Sequence, residues 1–204
     1  METMWSLYGM IGLIVLASLI GYGAMILVTN PHSKDITAVS SIRAALRIIG
    51  VEKPAWRTLI ISSSLDVKVP LEAVWSKWTR LEEWPAWSNG MIGQARWVTG
   101  EGWQTGARFE QVVKLGFPYG TRTSQETVEE FDEMHKVRWC KTSGGILSCH
   151  VWSFAYLPNG KTRITNTEVF HGTMIGLIKP LVAGRWERMF KNTVDGLVKQ
   201  AQKS

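Results

Sequence analysis

Proton-transfer chemistry in a small domain is carried by histidines and carboxylates held off water, and this sequence offers few of them in such a setting. Four histidines are present: His32, His135, His150 and His171. His32 follows a long apolar run, His135 lies in the acidic segment Glu129–Lys136, and His171 closes a strand-like run. Only His150 shares an alternating face with Trp152 and Phe154. A general base in an apolar pocket needs such a place and a shifted pKa. A hydrogen-bonded structural imidazole would occupy the same position. Glu168 alternates in phase with Asn166 and Phe170, so an inward Phe170 brings both polar groups with it. They could orient a ligand carbonyl or hydroxyl. Alternatively, Phe170 packs under a helix and Glu168 pairs with a cation. No phosphate-cradling glycine loop, nucleophile elbow or metal-ligand spacing is present, so no metal and no cofactor is expected. Cys140 and Cys149 read as ordinary strand residues of a reducing compartment rather than a disulfide framework.

Eleven tryptophans are many for 204 residues. They suit either a wide cavity wall or a membrane-facing surface, although burial alone also enriches tryptophan. As a pocket lining, Trp84 and Trp87 would cap the mouth. Phe109, Val113, Trp139, Trp152 and Phe154 would come from strands, and Trp186, Met189 and Phe190 from a terminal helix. The same residues could close a solid core instead.

The elements that position these side chains are legible from periodicity. Thr58–Val69 is an opening strand ended by Pro70. Leu71–Trp78 reads as a short helix, and Leu81–Trp87 as a second short helix or turn, broken at Pro85. Strand-sized runs follow at Gly90–Val98, Ala107–Phe117, Thr121–Glu129, Lys136–Thr142, Ile146–Tyr156 and Thr162–Phe170, with Pro158-Asn159-Gly160 as a hairpin turn. Phe109, Gln111, Val113, Leu115 and Phe117 share one face. From Met174 to Lys203 the period is helical, with Gly176, Pro180 and Gly184 predicting a bent or interrupted first part. Strands followed by one long helix make an α+β domain over residues 58–204: a curved antiparallel sheet wrapped around that helix.

Residues 1–57 differ in kind. Trp5–Val28 holds no charged residue, and as a helix it would measure about 36 Å, enough for a hydrocarbon core of about 30 Å. No Lys or Arg precedes it, which disfavours a cleaved signal, so residues 1–30 are expected to be an uncleaved transmembrane anchor. Lys34, Arg43, Arg47, Lys53 and Arg57 follow the span. The positive-inside rule therefore puts the amino terminus outside and the carboxy-terminal domain in the cytoplasm. Within 31–57, Ile36, Val39, Ile42, Leu46 and Ile49 recur at helical spacing, as expected of a juxtamembrane amphipathic segment. The formal charge of +6 is interspersed with carboxylates and forms no basic stripe. No nucleic-acid partner is expected, and mild attraction to membrane lipid is the simpler use of the charge.

The run Asp66-Val67-Lys68-Val69-Pro70-Leu71-Glu72-Ala73-Val74-Trp75, followed by Leu81-Glu82-Glu83-Trp84-Pro85-Ala86-Trp87, resembles the opening of the START-like, helix-grip SRPBCC superfamily. That group includes polyketide cyclase/dehydrase-like and lipid-transport domains. Phe154–Gly160, Thr162–Thr165 and Glu168–Gly172 are similar to its final hairpin and its entry to the last helix. The resemblance covers residues 58–203 and implies a deep apolar pocket between sheet and terminal helix. It implies no single chemistry. The Rieske cysteine and histidine spacing of ring-hydroxylating relatives is lacking, and a membrane anchor is not part of the shared pattern.

The first expectation is therefore a membrane-tethered binder or carrier of a hydrophobic small molecule such as a lipid, isoprenoid, quinone or polyketide-like ring. A cyclase/dehydrase-type enzyme acting in the same pocket is the alternative. A third reading is an accessory subunit docked on partners in a membrane complex.

Overall fold

The computed structural model describes residues 12–24, 47 and 56–203. Seven strands form one antiparallel sheet in the order β1-β7-β6-β5-β4-β3-β2. They are β1 (Thr58–Val67), β2 (Ile92–Thr99), β3 (Arg108–Gly116), β4 (Gly120–Asp132), β5 (Lys136–Ser143), β6 (Ile146–Tyr156) and β7 (Thr162–His171). Between β1 and β2 lie the helix α2 (Leu71–Trp78), a 3-10 turn (Leu81–Glu83) and the short helix α3 (Trp84–Trp87). The terminal helix α4 runs without interruption from Thr173 to Ala201, with Pro180 inside it. An earlier helix, α1, covers residues 12–24.

The α+β helix-grip expectation is met, and two local expectations are corrected. Pro85 does not break the second short helix, because it occupies the first turn of α3, where its missing N–H leaves nothing unpaired. Cys140 and Cys149 are register partners across β5 and β6 and are joined as a disulfide. Their pairing follows from their equal distance from the Gly144-Gly145 turn, which folds one strand directly onto the other.

The expected transmembrane span is covered only in part. No helix among the described residues is long and apolar enough to cross a membrane. At 1.5 Å per residue, the described part of α1 measures about 20 Å. The remainder of the span, and the juxtamembrane segment apart from residues 47, 56 and 57, lie outside the described residues.

Alternation decides the sheet's inner face. On β7, Ile164, Asn166, Glu168 and Phe170 share one face by alternation, and residues of the other face such as Thr167 and Val169 are buried as well. The helix α4 packs across the first of these faces, burying Ile175, Val182, Trp186, Phe190, Val194 and Leu197. Its close approach to α3 depends on Gly196: a Cβ there would lie 1.9 Å from the Trp87 carbonyl oxygen.

Apart from Trp56, the described tryptophans divide between two tasks. Trp75, Trp78, Trp84, Trp97 and Trp103 join Phe109 and Phe154 in a solid aromatic cluster. Within it the Trp78 and Trp103 ring centroids are 4.4 Å apart, and those of Trp84 and Trp103 5.6 Å apart. Two of its indoles are satisfied internally, Trp84 Nε1 donating to the Trp78 carbonyl at 2.7 Å and Trp103 Nε1 to that of Thr79 at 2.8 Å. This cluster fills one end of the space between sheet and helix, leaving the other end open.

Candidate functional site: a cavity between sheet and terminal helix

The open end is a cavity of about 520 Å³ bounded by the sheet, α3 and α4, within the usual range of about 300–1,000 Å³ for small-molecule pockets. Trp84, Trp87, Val113, Trp139, His150, Trp152, Asn166, Glu168, Phe170 and Trp186 lie on its wall. Trp84 and Trp87 do not cap a mouth, however. They are 2% and 3% exposed, and α3 places them where the cavity meets the solid cluster.

Phe109, Phe154, Met189 and Phe190 are off the wall. Phe109 is edge-on to Trp139 at 5.2 Å, and Phe154 packs on Trp75 and Trp78 at 5.3 and 5.5 Å. Phe190 stacks on His150 at 5.4 Å, while Met189 is half-buried against the core. Each is inward by periodicity, but its level along the element takes it away from the open space.

One side of the cavity is polar. His150 is buried, stacked on Trp139 with ring centroids 4.6 Å apart. Its Nε2 is 2.5 Å from Asn166 Oδ1, and its Nδ1 is 3.4 Å from Glu168 Oε2. Oxygens thus face both ring nitrogens, that of Asn166 at hydrogen-bond distance and that of Glu168 farther off. These contacts follow from register, since His150 lies opposite Glu168 across β6 and β7.

Neighbouring strands β4 and β5 add a second group that the sequence reading missed. Glu126 is buried and accepts a hydrogen bond from Ser124 Oγ, which in turn accepts one from Lys141 Nζ at 2.6 Å. Lys141 Nζ is 3.9 Å from Glu126 Oε1. Burial pushes the Glu126 carboxyl above the usual carboxylate range. The Glu168 charge acts in the same sense, and the Ser124 hydrogen bond and Lys141 cation do not reverse it. The signal for Glu126 was its phase with Val128, which is also buried.

Four residues of the wall carry buried donors with no protein partner: Trp87 Nε1, Tyr119 Oη, Asn166 Nδ2 and Trp186 Nε1. Burial also raises the Tyr119 hydroxyl's pKa. Each unpaired donor costs about 1–3 kcal/mol. Among the described residues, no group of three or more His, Cys, Asp or Glu side chains could hold a metal ion.

Comparison with solved structures finds the same architecture in proteins of distant sequence. A hypothetical protein from Helicobacter pylori, jhp0584, aligns with a TM-score of 0.60 at 18% identity, covering 72% of this chain and 90% of its own. TTHA0849 from Thermus thermophilus aligns at 0.58 and 17%, covering 71% and 97% respectively. A point mutant of norcoclaurine synthase from Thalictrum, in complex with a transition-state analogue, aligns at 0.53 and 14%, covering 72% and 95%. At these identities the likeness establishes the fold alone. No curated protein sequence matches the chain. The family model for polyketide cyclase / dehydrase and lipid transport matches residues 58–202, and this chain belongs to that family.

Proposed function

We propose that the protein is a membrane-tethered binding or carrier protein for a hydrophobic small molecule with an apolar body and acceptor oxygens. Lipid, quinone, isoprenoid and polyketide-like classes are all in scope. The observation that carries this reading is the aromatic-walled cavity with its polar side of Glu126, Lys141, His150, Asn166 and Glu168. An apolar space with a few convergent polar groups is the usual form of a small-molecule site. The tether rests on the uncharged run Trp5–Val28. Lys and Arg after that run favour a cytoplasmic domain. The Cys140–Cys149 bond counts against that side, since disulfides persist in oxidising compartments. Native mass spectrometry of detergent-extracted full-length protein tests the binding role. A stoichiometric small molecule is expected. An empty cavity that also fails to take up a lipophilic fluorescent probe would overturn it, and co-purifying subunits would favour an accessory role.

A second reading, a cyclase/dehydrase-type enzyme, is favoured by one arrangement. Glu126, held towards its protonated form, shares the cavity with the His150–Glu168 pair. A proton donor and a proton acceptor facing one substrate are what acid–base catalysis of ring closure or dehydration requires. Turnover of a bound polyketide-like substrate that is lost in Glu126→Gln and His150→Ala, with substrate binding retained, would establish it.

A further inference from the structure

We propose that the open end of the cavity is a docking surface for an anionic lipid bilayer, through which the hydrophobic ligand passes directly between membrane and cavity. This deepens the carrier reading above and rests on it for the ligand. The docking itself stands on separate observations.

Hairpin alternation gives the sheet two distinct ends. At one lie the β3–β4 and β5–β6 turns, the start of β1 and the start of α4. Leu115, Tyr119, Gly144, Ile146 and Met174 line the cavity at this end. No residue of the β4–β5 or β6–β7 turns at the other end does so, and the mouth is therefore at the first end.

The mouth is also where the domain exposes large apolar side chains. Phe117 at the β3–β4 tip is 78% exposed, and Met174, Leu177 and Leu181 on α4 are 50%, 43% and 57% exposed. The last three are spaced three and four residues apart and form one stripe. Among the described residues of 56–203, the other exposed large apolar side chains are Trp56, Val98 and Tyr156. Trp56 also belongs to the mouth end, because its indole lies against Gly176 of α4. Such a concentration around an opening marks an interaction site rather than scattered surface residues.

The two elements of the rim are tied together. Arg185 Nη2 donates to the Leu115 carbonyl at 2.6 Å and to that of Phe117. Gly116 makes room for it, with φ +68° and a would-be Cβ only 2.7 Å from the guanidinium. Phe117 is thus held beside the α4 stripe and not on a free loop.

Two further observations select a bilayer as the occupant. Segments 113–123, 142–147 and 172–186 contain no Asp or Glu, and Lys114, Arg122 and the adjacent Arg57 are exposed there, while Lys179 is buried and Arg185 is bonded to the rim carbonyls. Apolar side chains ringed by cations suit anionic headgroups over acyl chains. The uncharged helix α1, whose Leu13, Ile14, Leu16, Leu19 and Ile20 are exposed, meets this same stripe: Tyr22 Oη donates to the Leu177 carbonyl. The apolar helix that the tether reading puts in the membrane therefore touches the rim of the mouth at Tyr22.

The test uses the full chain reconstituted in vesicles of phosphatidylcholine with phosphatidylglycerol. Phe117→Cys, Leu181→Cys and, as a reference on the far turn, Asn159→Cys each carry an environment-sensitive fluorophore. Cys140 and Cys149 are bonded to each other. Bilayer-embedded doxyl lipids should quench the labels at 117 and 181 and spare that at 159. Equal, weak quenching at all three sites would overturn docking, whether or not the chain resists carbonate extraction. Extraction by carbonate with quenching retained would remove the tether and leave the docking surface standing. Uptake of an anthroyloxy-labelled fatty acid from the vesicles separates docking from binding. In Phe117→Asp/Leu181→Asp it should slow about tenfold, with the probe's affinity in solution unchanged. An unchanged uptake rate would overturn the proposed route, and failure of the wild type to bind the probe in solution would count against the carrier reading alone.

Discussion

His150 stacks on Trp139, its register partner across β5 and β6, with ring centroids 4.6 Å apart and planes 28° from parallel. The stack fixes the imidazole plane, and Phe190 covers the ring from α4 at 5.4 Å. Between these rings the imidazole edge is directed at Asn166 and Glu168. An apolar clamp thus orients the polar side of the cavity.

Trp84 and Trp186 should respond differently to truncation. Trp84 is in the solid cluster, and Trp84→Ala should cost about 3–5 kcal/mol, the ordinary loss for a packed aromatic. Trp186 stands at the open space, beside Phe170 at 4.8 Å and Tyr119 at 5.9 Å. Trp186→Ala should destabilise less and weaken binding of a lipophilic probe more. Thermal unfolding paired with probe titration reads both. Equal losses of stability with unaltered binding would mean that Trp186 is core.

Glu126 should make stability fall as pH rises. Its folded pKa lies above the ordinary 4.5, so the folded state holds the proton more tightly than the unfolded one. The stabilisation is complete below that ordinary value and is lost as pH rises through the raised folded value. Glu126→Gln keeps a neutral side chain and should remove this part of the pH dependence. Urea midpoints of both proteins between pH 4 and about 8 supply the comparison. Parallel curves would exclude a carboxyl held neutral by burial.

Asp66 should act in the opposite sense. Arg163 Nε and Nη2 each donate to its carboxylate at 2.7 Å, and that hydrogen bonding holds its pKa below the ordinary 3.8. Its contribution is present above that value and is lost as pH falls through the lower, folded one. The pair is on the outer surface, so Asp66→Asn should cost at most about 1 kcal/mol at neutral pH. The difference from wild type should shrink in acid. A difference that grows in acid would contradict the assignment.

The Cys140–Cys149 bond closes a loop with a sequence separation of 9, for which chain entropy predicts about 2–3 kcal/mol. Cys140→Ser/Cys149→Ser should lower stability by that amount, and reduction of the wild type should bring it to a similar value. Acid-quenched alkylation of cells before lysis, followed by intact mass, then reports the bond's state in place. Two alkylated thiols would agree with a domain on the cytoplasmic side, and an unmodified pair with the oxidising side.

Periodicity and turn chemistry were sufficient for the strands, the terminal helix and the shared face of Asn166, Glu168 and Phe170, because side-chain direction in a strand is set by local backbone geometry. The uncharged run Trp5–Val28 is equally a property of sequence alone. Depth along an element and the identity of the facing residue are not. Phe109 and Val113 share a phase on β3, yet one is sealed in the aromatic cluster and the other lines the cavity. Trp84 and Trp87 looked like a mouth and proved to be deep, because α3 is pressed onto α4 at Gly196. Glu126 sits in a strand that reads as hydrophilic, and only the strands and helix closing over it make it a buried acid. Cys140 and Cys149 read as ordinary strand residues, and only the registered β5–β6 hairpin brings them together as a disulfide. A period reports which way a side chain points; what it then meets is decided by elements far away in the chain.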